Sequence, residues 1–209
     1  MRLLFMNRRA LLLVVTAYAG LLTALYLFVS TREATIFQLL VTFCSMAAAP
    51  ALFFLLQATS ITHASGNLRK LAIVSFKLFI VSLPVVALTV FATYSVTVIT
   101  LRYLLVAVVA PLLAIQLWIA TSNTGLRSLV KRLGQVLSKT FAPDSVLVYA
   151  CGFLIFAVAP YLLLRKPIST ERAWLEISLL TVRLAASATL MLVGWVTTVG
   201  AISILSRDD

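Results

Sequence analysis

Six long apolar runs dominate the sequence and decide what it can fold into. A helix needs about 20 consecutive apolar residues to cross a hydrocarbon core about 30 Å thick, and every run reaches that length. Only helices and closed barrels can satisfy their backbone hydrogen bonds in lipid, and unbroken runs without strict alternation are typical of helices. We therefore predict transmembrane helices at 10–29, 35–59, 71–92, 96–121, 145–164 and 174–204.

The composition leaves little room for structure outside the membrane. Charged residues make up 11% of the 209 residues, whereas a soluble domain carries about 25%. Apolar residues make up 62%, and the mean hydropathy is +1.10. Because the spans use most of the chain, we expect a single all-α transmembrane domain over residues 1–209, which functions inside the bilayer or at its two faces.

The connections between the runs are mostly short, which predicts three tandem helical hairpins. Two of these look alike, because the sequence Ala-Thr-Ser recurs at 58–60 and 120–122, near the ends of the second and fourth spans. Inside the same two spans an Ala-Pro pair ends at Pro50 and at Pro111. These matches indicate a repeated hairpin of about 60 residues, although two apolar hairpins also resemble each other by chance.

The positions of Lys and Arg outside the spans, together with Lys77 near the inner end of the third span, predict the orientation of the chain, since short cytoplasmic loops carry an excess of these residues. One side has eleven of them: Arg2, Arg8, Arg9, Arg69, Lys70, Lys77, Arg127, Lys131, Arg132, Lys139 and Arg207. The other side has four: Arg32, Arg165, Lys166 and Arg172. Both termini are therefore predicted to be cytoplasmic, in agreement with an even number of spans.

The formal net charge of +11 follows from these loops rather than from a nucleic-acid interface. A nucleic-acid-binding face would cluster its basic residues, and here they are dispersed among short loops. Lys and Arg at the inner surface attract anionic lipid headgroups by about 1 kcal/mol each. We therefore expect the lipid bilayer and its anionic headgroups as partners and no nucleic acid. From the composition we expect a bacterial inner membrane as the location.

The segment 125–139, between the fourth and fifth spans, has the pattern of an amphipathic helix. At about 100° per residue its apolar and polar side chains fall on opposite faces. The apolar face has Leu126, Leu129, Val130, Leu133 and Leu137, and the polar face includes Arg127, Lys131, Arg132 and Lys139. Two interpretations stay open: a helix that lies in the inner headgroup layer, or a docking helix for a cytoplasmic partner.

Three polar side chains occur inside the even-numbered spans, in the halves predicted to be outer. Gln38 lies in the second span, Arg102 in the fourth and Arg183 in the sixth. An arginine within the bilayer costs about 2.5 to 3.5 kcal/mol on insertion scales and needs a partner or water. One hypothesis is that the three converge on an outer cavity that binds a phosphate, a carboxylate or a lipid headgroup. The alternative is that the arginines reach the outer headgroups or pair with acidic residues of the last outer loop.

Catalytic and metal-binding patterns are missing from the sequence. All six acidic residues lie in loops, at helix ends or at the C-terminus, so no carboxylate is placed for a proton relay or a cation site in mid-membrane. The one histidine, His63, has no neighbouring carboxylate or cysteine to complete a metal site. We therefore predict no catalytic residue, no metal and no cofactor.

These features favour a non-catalytic role, as a subunit or a lipid-contacting component of a membrane assembly. A second hypothesis is the permease component of a transporter driven by a separate cytoplasmic ATPase, with 125–139 as its docking helix. A third is an enzyme acting on lipid headgroups, in which Arg102 and Arg183 hold the phosphate and Glu171 or Glu176 is the base.

Overall fold

A computed structural model of the chain describes residues 8–31, 35–62, 68–123, 133–165 and 173–208, and within these ranges it contains helices and no strand. Six helices are long and apolar enough to cross a membrane, one for each predicted span. The chain is an all-α, multi-pass membrane protein. Its helices are α1 (Arg8–Ser30), α2 (Ile36–Thr62), α3 (Leu68–Ser95), α4 (Ile99–Leu104, Leu105–Val109 and Ala110–Asn123 in succession), the short α5 (Leu133–Thr140), α6 (Pro143–Phe153, Leu154–Val158 and Ala159–Arg165 in succession) and α7 (Ala173–Asp208).

Contacts among the helices divide the chain into two compact units. Unit 1 comprises residues 1–140 and contains α1 to α5, whereas unit 2 comprises residues 141–209 and contains α6 and α7. In unit 1, α1 packs mainly on α2, and α3 packs on both α2 and α4. In unit 2, all three segments of α6 pack on α7.

The contact between α1 and α2 uses one face of α1 made of small side chains. Ala10, Val14, Ala17 and Ala24 are all buried, and their spacing of three, four or seven residues places them on one side of a helix. Neighbouring positions on the same helix are exposed, such as Leu12 and Val15. Small residues allow two helices to approach closely in lipid, where packing rather than the hydrophobic effect drives association.

Unit 1 is tightly packed at one end and open at the other. The packed end consists of the end of α2, the start of α3 and the end of α4, and Ala58, Ile61, Leu78 and Ile115 are fully buried there. At the opposite end, which we call the open end, Tyr94 at the end of α3 is 85% exposed. Aromatic side chains are prominent in this half of the unit. The exposed ones are Tyr26, Phe28, Phe37, Phe43, Phe91, Tyr94 and Tyr103.

A hydrogen bond between two helices fixes α4 against α3 within the packed half of unit 1. The indole Nε1–H of Trp118 donates to Ser82 Oγ at 2.7 Å, and both residues are buried. Phe53 and Phe54 of α2 meet the indole edge to face, with ring centroids 6.0 and 6.2 Å away. Edge-to-face geometry is a favourable arrangement of aromatic rings. The Trp118 indole therefore connects α4 to both α2 and α3.

The short helix α5 is the described part of the predicted amphipathic segment. Val136 and Thr140 are buried where α5 packs on α4, whereas Leu133 and Leu137, one turn apart, are exposed. Residues 125–132 of that segment lie outside the described residues. The exposed leucine pair is on the predicted apolar face, and its location at a membrane surface stays a prediction.

Two of the long helices each contain one π-helical segment, at Leu105–Val109 in α4 and Leu154–Val158 in α6. Both segments have the sequence Leu-x-x-x-Val, and each is followed directly by Ala-Pro. In both, the alanine before the proline donates its N–H to the carbonyl five residues back. Proline has no N–H, and its ring crowds the carbonyl four residues earlier. A wider turn just before the proline accommodates that ring.

Unit 2 depends on two glycines at the contact between α6 and α7. A Cβ on Gly152 would overlap Thr198 Oγ1, and a Cβ on Gly194 would lie 2.9 Å from the backbone nitrogen of Phe156, inside the π-helical segment. Ser187 Oγ of α7 also donates to the carbonyl of Pro160 at 3.2 Å. The close approach of the helices therefore requires the absence of a side chain at both glycines.

Candidate functional site

Gln38, one of the three predicted anion-binding residues, has a local structural role at the start of α2. Its backbone N–H donates to Thr35 Oγ1 at 3.2 Å, and its Oε1 accepts the Thr35 N–H at 3.1 Å. This reciprocal pair is a capping box, which satisfies two backbone donors that a helix start leaves without partners. The sequence Thr35-x-x-Gln38 is the signature of that motif.

Arg102 is half-buried near the start of α4, at the open end of unit 1. Its guanidinium carbon lies 5.8 Å from the ring centroid of Tyr103, within reach of a cation–π contact. Tyr103 itself is exposed. The arginine thus has an aromatic neighbour that also faces outward, as expected for a side chain near a headgroup layer.

Arg183 lies in α7 at the level of the end of α6. It is four residues, or about 6 Å of helix rise, from Ser187, which is hydrogen-bonded to Pro160. Arg165 follows Pro160 by five residues, or about 7.5 Å of helix rise. Arg183 comes before Ser187 in the sequence, whereas Arg165 comes after Pro160. Since the two helices are antiparallel, Arg183 and Arg165 come to similar levels. Unit 2 therefore carries two arginines near one end.

Arg165 was not among the predicted site residues, because the sequence places it at the boundary of a loop. The structure makes it the last residue of α6, with its guanidinium carbon 5.9 Å from the ring centroid of Tyr161. The signal was present as Tyr161-x-x-x-Arg165, a spacing that brings two side chains together on a helix. It repeats in unit 2 the arginine and tyrosine contact that Arg102 makes in unit 1.

The predicted site residues are distributed over both units. Gln38 and Arg102 belong to unit 1, and Arg183 belongs to unit 2, so their convergence on one cavity stays a prediction. Lys139, half-buried in the last turn of α5, is the described member of the predicted docking set. The other three, Arg127, Lys131 and Arg132, lie outside the described residues.

An open groove of about 440 Å³ runs between α1 and α2 in unit 1. We call it the α1–α2 groove. Its lining consists of Gly20, Thr23, Ala24 and Leu27 from α1, and Leu40, Val41, Cys44, Ser45, Ala48 and Leu52 from α2. At one end the helices close together, since a Cβ on Gly20 would lie 3.1 Å from Leu52 Cδ1.

The polar atoms in the lining of this groove are used within their own helices. Thr23 Oγ1 donates to the carbonyl of Ala19 at 2.9 Å, and Ser45 Oγ donates to the carbonyl of Thr42 at 2.9 Å. No charged residue is among the ten that line it. The groove therefore suits an apolar occupant, because a polar ligand would lose its hydrogen bonds to water without replacing them.

The sequence contains a signal for this groove in its small residues. Gly20 and Ala24 are four residues apart on α1, and Ala48 lies in a run of three alanines on α2. Such residues predict close helix contact, but they do not predict where two helices diverge. That depends on the large side chains around them.

The described residues contain no group of three or more His, Cys, Asp or Glu side chains placed to hold a metal ion. Comparison of the chain with protein-family models, with curated proteins and with solved structures finds no match.

Proposed function

We propose that the chain is a non-catalytic, lipid-contacting component of a membrane assembly, located in a bacterial inner membrane with both termini cytoplasmic. The observation that carries this proposal is the contrast between the two ends of unit 1. Its packed end is closed by fully buried residues, whereas its open end presents large apolar side chains, such as Phe37 and Tyr94. That surface is available for contact with lipid or with another membrane protein.

The open end supports this role because an extended apolar surface within a bilayer is always covered by something. Lipid chains cover part of it, and partner helices cover it where small residues and aromatic side chains give a shaped surface. Aromatic residues are also enriched where a protein meets headgroups and where it meets partners. Seven exposed aromatic side chains in this half of unit 1 fit either kind of contact.

The test of this proposal is purification of the chain from its native membrane in a mild detergent, followed by mass spectrometry of the proteins and lipids that accompany it. We expect a stoichiometric membrane partner, and we expect Phe37→Ala to reduce its recovery. Phe76→Ala is the matched control, because Phe76 is similarly exposed on α3 but lies toward the packed end. Recovery of the chain alone, in both the native and the variant forms, would count against a role in an assembly.

A second candidate function is the permease component of an ATPase-driven transporter, and the two π-helical segments favour it. Leu105–Val109 begins six residues after Ile99, and Leu154–Val158 ends seven residues before Arg165. Both segments are therefore about 9 to 11 Å from the ends of their helices. These ends share the predicted outer side. Single-turn π-helical segments inside α-helices occur frequently at functional sites.

The two functions differ in the partner they require. A transporter component needs a cytoplasmic protein with nucleotide-binding motifs, held at the predicted inner face where α5 lies. Alanine at Lys131 and Arg132 would then release that ATPase, whereas it would leave a membrane-embedded partner bound. Vesicles that contain the chain and its ATPase should take up substrate in the presence of ATP.

A further inference from the structure

The α1–α2 groove has the length of one leaflet of a bilayer. Along α2 it extends from Leu40 to Leu52, which is about 18 Å of helix rise. Leu40 is four residues, or about 6 Å, from the start of α2 at Ile36, so the groove lies at membrane depth over its whole length. Half of a hydrocarbon core of about 30 Å is about 15 Å, which one extended acyl chain spans.

The groove is continuous with the surface that the chain presents to lipid. Four of its own lining residues, Thr23 and Leu27 of α1 and Leu40 and Cys44 of α2, are exposed. These side chains belong to membrane-spanning helices, so the hydrocarbon of the bilayer reaches the mouth of the groove directly. An acyl chain enters it without leaving its leaflet.

Water is a poor occupant of this groove, because a bound water needs two to four polar partners. The hydroxyls of Thr23 and Ser45 already donate within their own helices. The remaining lining is hydrocarbon except for the Cys44 thiol, which is a weak donor. An empty groove would forfeit the dispersion contacts of its lining atoms, and a hydrocarbon chain supplies them.

We propose that the α1–α2 groove is a binding site for one acyl chain of a bilayer phospholipid. Ala24 and Ala48 leave the space, because larger side chains at these positions would fill it. The contact between Gly20 and Leu52 closes the deep end and limits how far the chain enters. This inference rests on the proposed lipid-contacting function and names the position of one such contact.

The experiment reconstitutes the full chain in vesicles of phosphatidylethanolamine and phosphatidylglycerol that contain a phospholipid with a photoactivatable acyl chain. Mass spectrometry after illumination maps the labelled residues. We expect labelling of the groove residues between Leu40 and Leu52 to exceed severalfold the labelling of Val86, Val90 and Phe91, exposed side chains of α3. Equal labelling of the groove residues of α2 and of the exposed residues of α3 would overturn the proposal.

Two neighbouring alanines provide a matched pair of variants. Ala48→Leu fills the groove, whereas Ala47→Leu adds the same volume at an exposed position outside the lining. We expect Ala48→Leu to lower the groove labelling to the level of α3 and Ala47→Leu to leave it unchanged. Equal effects of both variants would contradict the proposal. If Ala48→Leu fails to fold, the distribution of label between α2 and α3 in the unsubstituted chain still tests the proposal.

A second copy of the chain is the competing occupant, and Cys44 tests for it. In a Cys151→Ser background, Cys44 is the one thiol left in the sequence, and it lies exposed in the groove. Efficient disulfide cross-linking between two copies through Cys44, together with no lipid label in the groove, would overturn the proposal. The occupant of the groove would then be a second copy of the chain. Co-purification of a membrane partner from native membranes is measured separately, so loss of the groove site leaves the assembly role standing, and the reverse also holds.

Discussion

Gly152 of α6 faces Thr198 of α7 so closely that the space for a Cβ is already occupied by the threonine hydroxyl. A Cβ at position 152 would overlap Oγ1 and lie 2.8 Å from Cγ2. The same hydroxyl donates to the carbonyl of Gly194 at 2.6 Å, one turn earlier in α7. One threonine thus meets a glycine of the neighbouring helix and a glycine of its own helix.

Replacement of Gly152 by alanine should destabilise unit 2. The added methyl group forces Thr198 or the backbone of α6 to move, and such overpacking costs about 1 to 3 kcal/mol. The free energy of unfolding in mixed micelles measures the loss. Gly200→Ala is the control, since a Cβ there meets nothing within 4 Å. Adding Thr198→Ala to Gly152→Ala should recover part of the loss, and a double variant no more stable than Gly152→Ala would contradict this account of the contact.

Removal of the Ser82 hydroxyl should weaken the packed half of unit 1. Ser82→Ala leaves the buried indole N–H of Trp118 without its acceptor, which lowers the free energy of unfolding by about 1 kcal/mol or more. Ser75→Ala serves as the control on the same helix, because Ser75 Oγ donates to the carbonyl of Leu71 in α3 itself. A double-mutant cycle with Trp118→Phe should show coupling between the two sites. Strictly additive losses would show that the hydrogen bond contributes nothing.

Substitution at Gln38 separates its capping role from the predicted anion-binding role. Glutamate also completes a capping box, so Gln38→Glu should keep the thermal stability of the chain, whereas Gln38→Ala should lower it. Binding of a phosphate-bearing lipid would respond differently, because a carboxylate repels the anion. If Gln38→Glu abolishes retention of anionic phospholipid at unchanged stability, the side chain acts on a ligand as well as on the helix start.

Replacement of Pro111 by alanine should convert Leu105–Val109 to an α-helix. The change removes the ring that crowds the preceding carbonyls and restores a backbone N–H. Backbone chemical shifts of this segment in micelles should move toward α-helical values, as should those of Leu154–Val158 in Pro160→Ala. Pro50→Ala is the comparison, since the helix around Pro50 has no π-helical segment. Shifts that stay unchanged in Pro111→Ala would mean that packing, not the proline, widens the turn.

The number and type of the long helices follow from the sequence, because the thickness of a bilayer imposes a length that apolar runs reveal directly. The starts and ends are less determined: α2 continues to Thr62, three residues beyond the predicted 59. Ser60 and Ile61 are fully buried there, so tertiary packing extends the helix past the apolar run. Local composition alone does not carry that information.

The contacts that define each unit were beyond prediction for a geometric reason. The position of Gly152 against Thr198 depends on which helices pair and in what register, and an apolar run looks the same in every register. The prolines at 111 and 160 are visible in the sequence, yet the π-helical form before them depends on how each carbonyl is accommodated. The role of Gln38 can be predicted from the sequence, because the capping box follows from the local pattern Thr35-x-x-Gln38 and needs no tertiary contact.

Each π-helical segment also acts as a phase shift along its helix. Because the wide turn takes up one residue more than an α turn, the residues before Leu105 are rotated by about 100° relative to a continuous α-helix. The directions in which Arg102 and Tyr103 point are therefore offset by this angle from the directions that the buried face of Trp118 would set in a continuous α-helix. Deleting one residue from Leu105–Val109 would bring the two ends of α4 into a single phase. Arg102 and Tyr103 would then rotate about the helix axis, while Trp118 would keep its buried position.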